Sequence, residues 1–228
     1  MDNSPVVHWP YLAAALVLLW FPRHWMRLGK FGGKRRRQRE TMERFAQEGG
    51  NDPDDKSVKL KRELKSARNY IDFFRGFAGS FCLWHFSFAI SLEQRDLFNA
   101  ICGFVCLIAV VLQTTRFRER VTFFAAIFFL AGMSMGIGNI RVGDEPGILG
   151  NYYAAALAFL LVCAINPVIA TPRLFVVTYG VLLLPFGWLL GGGFQLAWIN
   201  SLLVLLPPLF SVMAKRPMVI FTRRRHTW

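Results

Sequence analysis

The sequence predicts an all-α polytopic membrane protein: about seven transmembrane helices, with the N-terminus outside and the C-terminus cytoplasmic. Three observations carry this. The 228 residues are 54% hydrophobic, with a mean hydropathy of +0.36, above the roughly 45–50% apolar content of ordinary soluble domains. The apolar residues gather in uncharged runs, such as Val121 to Ile140 and Ile148 to Thr171. Runs of about 17–25 such residues fit a helix that crosses a bilayer. Finally, the cations fall almost entirely on one side of those runs.

The first segment, Val6 to Pro22, reads "VVHWPYLAAALVLLWFP", with Trp9 and Trp20 near its ends. Aromatic residues favour the membrane interface at such positions. Before it stand Asp2 and no Lys or Arg, and the positive charge follows it. That order predicts an uncleaved helix entering from outside. Six further spans read as Phe74 to Leu92, Leu97 to Gln113, Val121 to Ile140, Ile148 to Ile165, Leu174 to Leu190 and Leu196 to Met213. The connectors between them are short, so neighbouring spans are expected to be antiparallel hairpins. Six spans is the alternative count, if the aromatic-rich second segment lies in the interface.

This topology places all but Arg95 and Arg141 of the 27 Lys and Arg on the inner side, a strong positive-inside signal. It divides the chain into an N-terminal transmembrane helix (1–22), a basic cytoplasmic loop (23–73), a six-helix bundle (74–213) and a basic cytoplasmic tail (214–228). The expected location is a bacterial inner membrane.

The stretch "GKFGGKRRRQRETMERF" from Gly29 to Phe45 supplies Lys34, Arg35, Arg36, Arg37 and Arg39. In a soluble chain it would suggest nucleic acid. Behind an N-out helix it becomes a topological determinant, and no nucleic-acid partner is expected. After the break "GGNDPDD", Leu60, Leu64, Ala67, Ile71 and Phe74 recur at helical period. Lys59, Lys61, Arg62, Lys65 and Arg68 lie mostly off that stripe. The reading is an amphipathic helix, capped by Ser57, that runs into the second span. Its basic residues, with those of the preceding stretch, would contact anionic lipid or an acidic partner.

No Asp, Glu, Lys or Arg is expected in the core of any span. Such groups mark ion paths and proton relays, so a carboxylate-driven pump is disfavoured, and no catalytic residue and no cofactor are assigned. The polar residues left in the spans form stripes of small and amide side chains. They include Asn99, Gly103, Cys106 and Gln113; Gly132, Gly136 and Asn139; Asn151, Ala155, Ala158 and Asn166; and Asn200, Pro207 and Ser211. Such stripes are foremost helix-packing seams. Asn99, Asn139, Asn151 and Asn200 all map to the outer half of the bilayer, where they would line a pocket for an uncharged or lipidic ligand. Cys82, His85, Cys102 and Cys106 fall at similar depth on the second and third spans, which raises a soft-metal site. A buried thiol is more often a small hydrophobe, so no metal is assigned.

The leading functional expectation is a non-catalytic membrane subunit or scaffold with other membrane proteins as partners. A small transporter or lipid-handling protein using the asparagine layer is the alternative. An intramembrane metal protein comes third.

Overall fold

The computed structural model describes residues 5–21, 63–116, 122–138, 140, 149–169, 171–190, 193–216 and 218–220. They are mostly helical. Seven α-helices occur among them: α1 (Trp9–Trp20), α2 (Ala67–His85), α3 (Arg95–Thr114), α4 (Ile127–Gly136), α5 (Leu149–Ile165), α6 (Pro172–Leu190) and α7 (Phe194–Met213). Two small sheets join them. Antiparallel β1 (Val6–Val7) and β2 (Phe88–Ala89) form the first. The second has the order β3 (Thr115–Arg116), β4 (Thr122–Phe124), β5 (Met218–Val219), with β5 parallel to β4.

Four helical segments are long and apolar enough to cross a membrane: Leu92–Thr114, Asn151–Val168, Pro172–Leu190 and Phe194–Met213. The other three helices differ from the spans expected for them. α1 keeps only 12 residues. Pro10 suits its first turn, and Pro22 drives Phe21 into an extended conformation (ψ 116°) that ends it. The run from Val121 to Ile140 holds a helix of only ten residues, α4, preceded by strand β4. The second span is displaced towards the N-terminus. α2 runs from Ala67 to His85 and crosses position 73/74 without a break.

Local chemistry explains the other ends. At the end of α3, the hydroxyls of Thr114 and Thr115 donate to the carbonyls of Val110 and Val111. Pro172 opens α6, where the Leu174 N–H donates to Thr171 Oγ1 at 3.2 Å, an N-cap bond. Gly193, at φ 114°, permits the reversal from α6 to α7. Lys215, at φ 50°, closes α7 as the Arg216 N–H donates to Ser211 O at 3.0 Å. Pro185, Pro207 and Pro208 lie inside continuous helices.

Specific contacts give the helix directions. The His8 N–H donates to Ser87 O, and Arg75 reaches Phe21 O, so α1 and α2 are antiparallel. Gln113, near the end of α3, also bonds Phe21 O. α4 runs parallel to α2: Gly132 sits on Phe73, Gly136 on Phe77 and Ser80, and Gly138 on His85. Phe77 meets Tyr152 and Phe128 meets Phe159, which sets α5 antiparallel to α2 and α4. Gly187 lies on Ala197, and the Ser201 hydroxyl donates to Gly180 O, which makes α6 and α7 a hairpin. The bundle therefore has an upper end, where α1 begins, and a lower end, where α1 stops and the three-stranded sheet lies.

The core of this bundle is α4. Every one of its ten residues is buried. Glycine makes that possible: a Cβ on Gly132 would lie 2.1 Å from Phe73 O, and one on Gly76 would lie 2.5 Å from Phe129 O. The backbones of α2 and α4 touch, as small-xxx-small contacts allow.

The molecule combines buried polar side chains with large apolar side chains on its surface. Buried positions include Asn69, Asp72, Arg75, Ser80, His85, Asn99, Gln113, Ser134, Asn151, Asn200, Ser201 and Ser211. Exposed positions include Val17, Phe74, Phe104, Leu160, Trp188, Leu189 and Leu209. In water, charged residues are almost never fully buried unless paired, and large apolar side chains turn inward. Polar groups set within a largely apolar core, under an outer surface rich in large apolar side chains, are compatible with a hydrocarbon surround.

Candidate functional site

The residues that most need explanation lie on α2, where charge was not expected. Arg75 is the ninth of its 19 residues and only 7% exposed, and Asp72 is 2% exposed. The sequence places Asp72 in the basic loop and Arg75 at the very start of the second span; α2 begins at Ala67, not at Phe74, and so carries both within the helix. The apolar stripe of this segment, Leu64, Ala67, Ile71 and Phe74, faces outward, with Phe74 63% exposed. The opposite face packs inward, with Asn69, Asp72, Gly76, Gly79, Ser80 and Leu83 at steps of three and four. The polar face needs partners, and the packed helices supply them. Leu60 and Ser57 lie outside the described residues.

Arg75 is held from several directions. It lies 3.3 Å from Asp72 Oδ1, donates to Gln113 Oε1 at 2.9 Å and donates to Phe21 O. Its guanidinium sits over the Phe129 ring, 5.4 Å from the centroid, a favourable cation–π geometry. Gln113 uses its amide group to donate to Leu19 O and Phe21 O, both at 3.0 Å. The last carbonyls of a helix lack partners within it, and here Arg75 and Gln113 supply them for α1. One turn below, the Asn69 amide donates to Glu63 Oε2 at 2.8 Å.

The same device recurs across the bundle. α4 ends inside the protein, and its terminal carbonyls take side-chain donors: Ser80 to Met133 O at 3.0 Å, and Asn200 to Ser134 O at 3.1 Å. Trp20 Nε1 donates to Val105 O, and Ser201 to Gly180 O. At the lower end Arg173 donates to Ser211 Oγ at 2.9 Å and to Arg216 O at 2.8 Å, tying α6 to the turn after α7.

The asparagines proposed from the sequence separate into different roles. Asn99, Asn151 and Asn200 are buried on α3, α5 and α7, and no hydrogen bond joins them to one another among the described residues. Asn200 serves α4. Asn99 Oδ1 and Asn151 Nδ2 have no hydrogen-bond partner among the described residues. Asn139 lies outside those residues. So do Lys34, Arg35, Arg36, Arg37, Arg39, Lys59, Lys61 and Arg62, while Lys65 is exposed at the lower end. Of the expected seams on α3, α5 and α7, Cys106, Gln113, Ala155, Ala158, Pro207 and Ser211 are buried, as is Asn166 just past the end of α5, while Gly103 is half-buried.

Cys82, His85, Cys102 and Cys106 do not assemble. Among the described residues no three His, Cys, Asp or Glu side chains come close enough to hold a metal. His85 instead lies against Phe81, 4.6 Å between ring centroids, and against Gly138. Cys102 and Cys106 are fully buried.

No protein-family model, no curated protein and no solved structure matches the chain.

Proposed function

We propose that the protein is a non-catalytic integral membrane subunit or scaffold of a larger membrane assembly. The observation that carries this reading is how the interior polar groups are used. Arg75, Gln113, Ser80, Asn200, Trp20, Ser201 and Arg173 each donate to a backbone carbonyl outside their own helix. Interhelical bonds of this kind contribute about 0.6–2 kcal/mol each. A bundle that uses its polar side chains to fasten its own helices suits a rigid body that presents surfaces to others.

In this reading all seven helices lie in a bacterial inner membrane, with the N-terminus outside. The lower end faces the cytoplasm, in keeping with Lys65, Arg68, Arg173, Lys215 and Arg216 there and with Glu93, Arg95 and Asp96 at the upper end. The basic loop, with Lys34 to Arg39 and Lys59 to Lys65, contacts anionic lipid or an acidic partner. Extraction in mild detergent, affinity capture and mass spectrometry test this. Membrane proteins at fixed stoichiometry are expected. A solitary, monodisperse species with a ligand-dependent melting shift overturns it.

The unpartnered atoms of Asn99 and Asn151 favour a second reading, a small transporter or lipid-handling protein. Its test is Asn99→Leu with Asn151→Leu: ligand binding is lost while the fold survives. Retention of binding removes that reading.

A further inference from the structure

The exposed Trp and Tyr side chains are gathered at one end of the bundle. Among the described residues seven are exposed, and six of them lie at the upper end. Trp9 and Tyr11 stand in the first turn of α1, Tyr152 and Tyr153 in that of α5, Trp188 near the end of α6 and Trp198 near the start of α7. Only Tyr70 is at the lower end. The exposed cations follow the opposite rule. Lys65, Arg68 and Lys215 lie at the lower end, where Arg173 is pinned to the turn after α7. Between the two ends, Val17, Phe104, Leu160, Val181 and Leu202 face outward.

Trp and Tyr join an apolar ring to one hydrogen-bonding group, so they collect where acyl chains meet headgroups. The N–H groups of Trp9, Trp188 and Trp198 have no partner among the described residues. The six side chains also come from both sides of the bundle. α1 packs on α2 and α2 on α4, while α5 packs on α4 and continues into α6 and α7. One docked protein would favour one side, whereas a ring drawn from both sides fits a surround. The spacing agrees. Arg173 and Trp188 stand fifteen residues apart on α6, about 22 Å along a helix. A long Arg side chain that snorkels outward extends that reach toward the roughly 30 Å of a hydrocarbon core.

We propose that Trp9, Tyr11, Tyr152, Tyr153, Trp188 and Trp198 form a girdle that seats the upper end at the acyl–headgroup boundary of one leaflet. The partner of this surface is the bilayer itself. The rings lie among the first acyl carbons, and the N–H and O–H groups donate to lipid ester and phosphate oxygens. The inference rests on the membrane reading above and adds a depth and a set of anchoring residues to it.

Tryptophan quenching tests it on the full chain in phosphatidylcholine vesicles, with acyl chains brominated either near the headgroup or near the chain end. Trp9→Phe, Trp188→Phe and Trp198→Phe each remove one exposed indole and keep an apolar ring. The difference from wild type isolates that indole's fluorescence. Each difference is expected to be quenched more by the shallow bromines than by the deep ones. Stronger quenching by the deep bromines places these rings in the hydrocarbon and overturns the girdle while leaving the membrane reading intact. Quenching by aqueous iodide, and by neither brominated lipid, overturns both. Quenching by none of the three reveals a protein cover, a second copy included, and overturns the girdle. The three indoles report separately, so a variant that loses its helical circular dichroism leaves the other two as the test.

Discussion

Helices α2 and α6 both have 19 residues, yet they are built on opposite rules. α6 is apolar along most of its length and meets α7 through Gly180 and Gly187. α2 carries Asn69, Asp72, Arg75 and Ser80 on its inner face and turns Ile71 and Phe74 outward. A soluble protein would bury the second set and expose the first. A hydrocarbon surround would reverse the preference, because it would accept Phe74 at no cost and offer Asp72 and Arg75 no hydrogen bonds. α6 satisfies the membrane by composition alone, whereas α2 needs α1, α3 and α4 packed against it. α2 therefore depends most on the rest of the bundle.

That contrast can be broken most severely at Arg75. Arg75→Met leaves Asp72 buried beside an apolar side chain and removes a donor from Phe21 O. Removing one partner of a buried ion pair costs about 3–5 kcal/mol, and thermal unfolding in detergent should show that loss. Asp72→Leu combined with Arg75→Met should recover most of it, since an apolar replacement of the whole pair is often neutral. A double variant as unstable as the single one would mean that the Gln113 and Phe21 contacts, and not the charge pair, dominate.

Next comes the α2–α4 contact. Gly132→Ala places a methyl group 2.1 Å from a backbone carbonyl, and overpacking of a tight interface costs about 1–3 kcal/mol or more. The matching change on the α6–α7 hairpin, Gly187→Ala, meets Ala197 Cβ at 2.8 Å and should cost less, because a side chain yields more readily than a backbone. Equal losses at the two sites would contradict the view that α4 is the rigid centre.

Smaller still is the cap on α6. Thr171→Ala removes the acceptor for the Leu174 N–H and should cost about 1 kcal/mol. The smallest effect is expected at Phe74→Ala, on the outward face of α2. Stability in detergent should change by no more than about 0.5 kcal/mol, although Gly76, two residues on, tolerates no side chain. A large loss at Phe74 would show that this face is covered by protein.

Much of the bundle was legible in the sequence. The apolar runs that became α3, α5, α6 and α7 were identified within a few residues, because length and hydropathy report directly on bilayer crossing. The packing stripes were legible too. Gly132 and Gly136 do lie on α2, and Ala155, Ala158 and Ser211 do face inward. The apolar stripe of α2 was legible as well, but the inward face opposite it, with Asn69, Asp72, Gly76 and Ser80, was not read, because periodicity shows that a helix has two faces and not what each one meets. The bond from Asn200 to Ser134 O had no such signal, since the two residues lie far apart in the chain.

By itself, then, the sequence determined the main helices: its uncharged runs became four segments long and apolar enough to cross a membrane. Only the tertiary structure decided that Arg75 and Asp72 lie inside, that the apolar run from Val121 to Ile140 yields one short central helix, and that Asn200 serves the end of that helix. The physical reason is shared. A buried charge, an interrupted helix and a lone amide are each unfavourable alone and become stable only through partners on other helices, and a linear pattern does not display those partners.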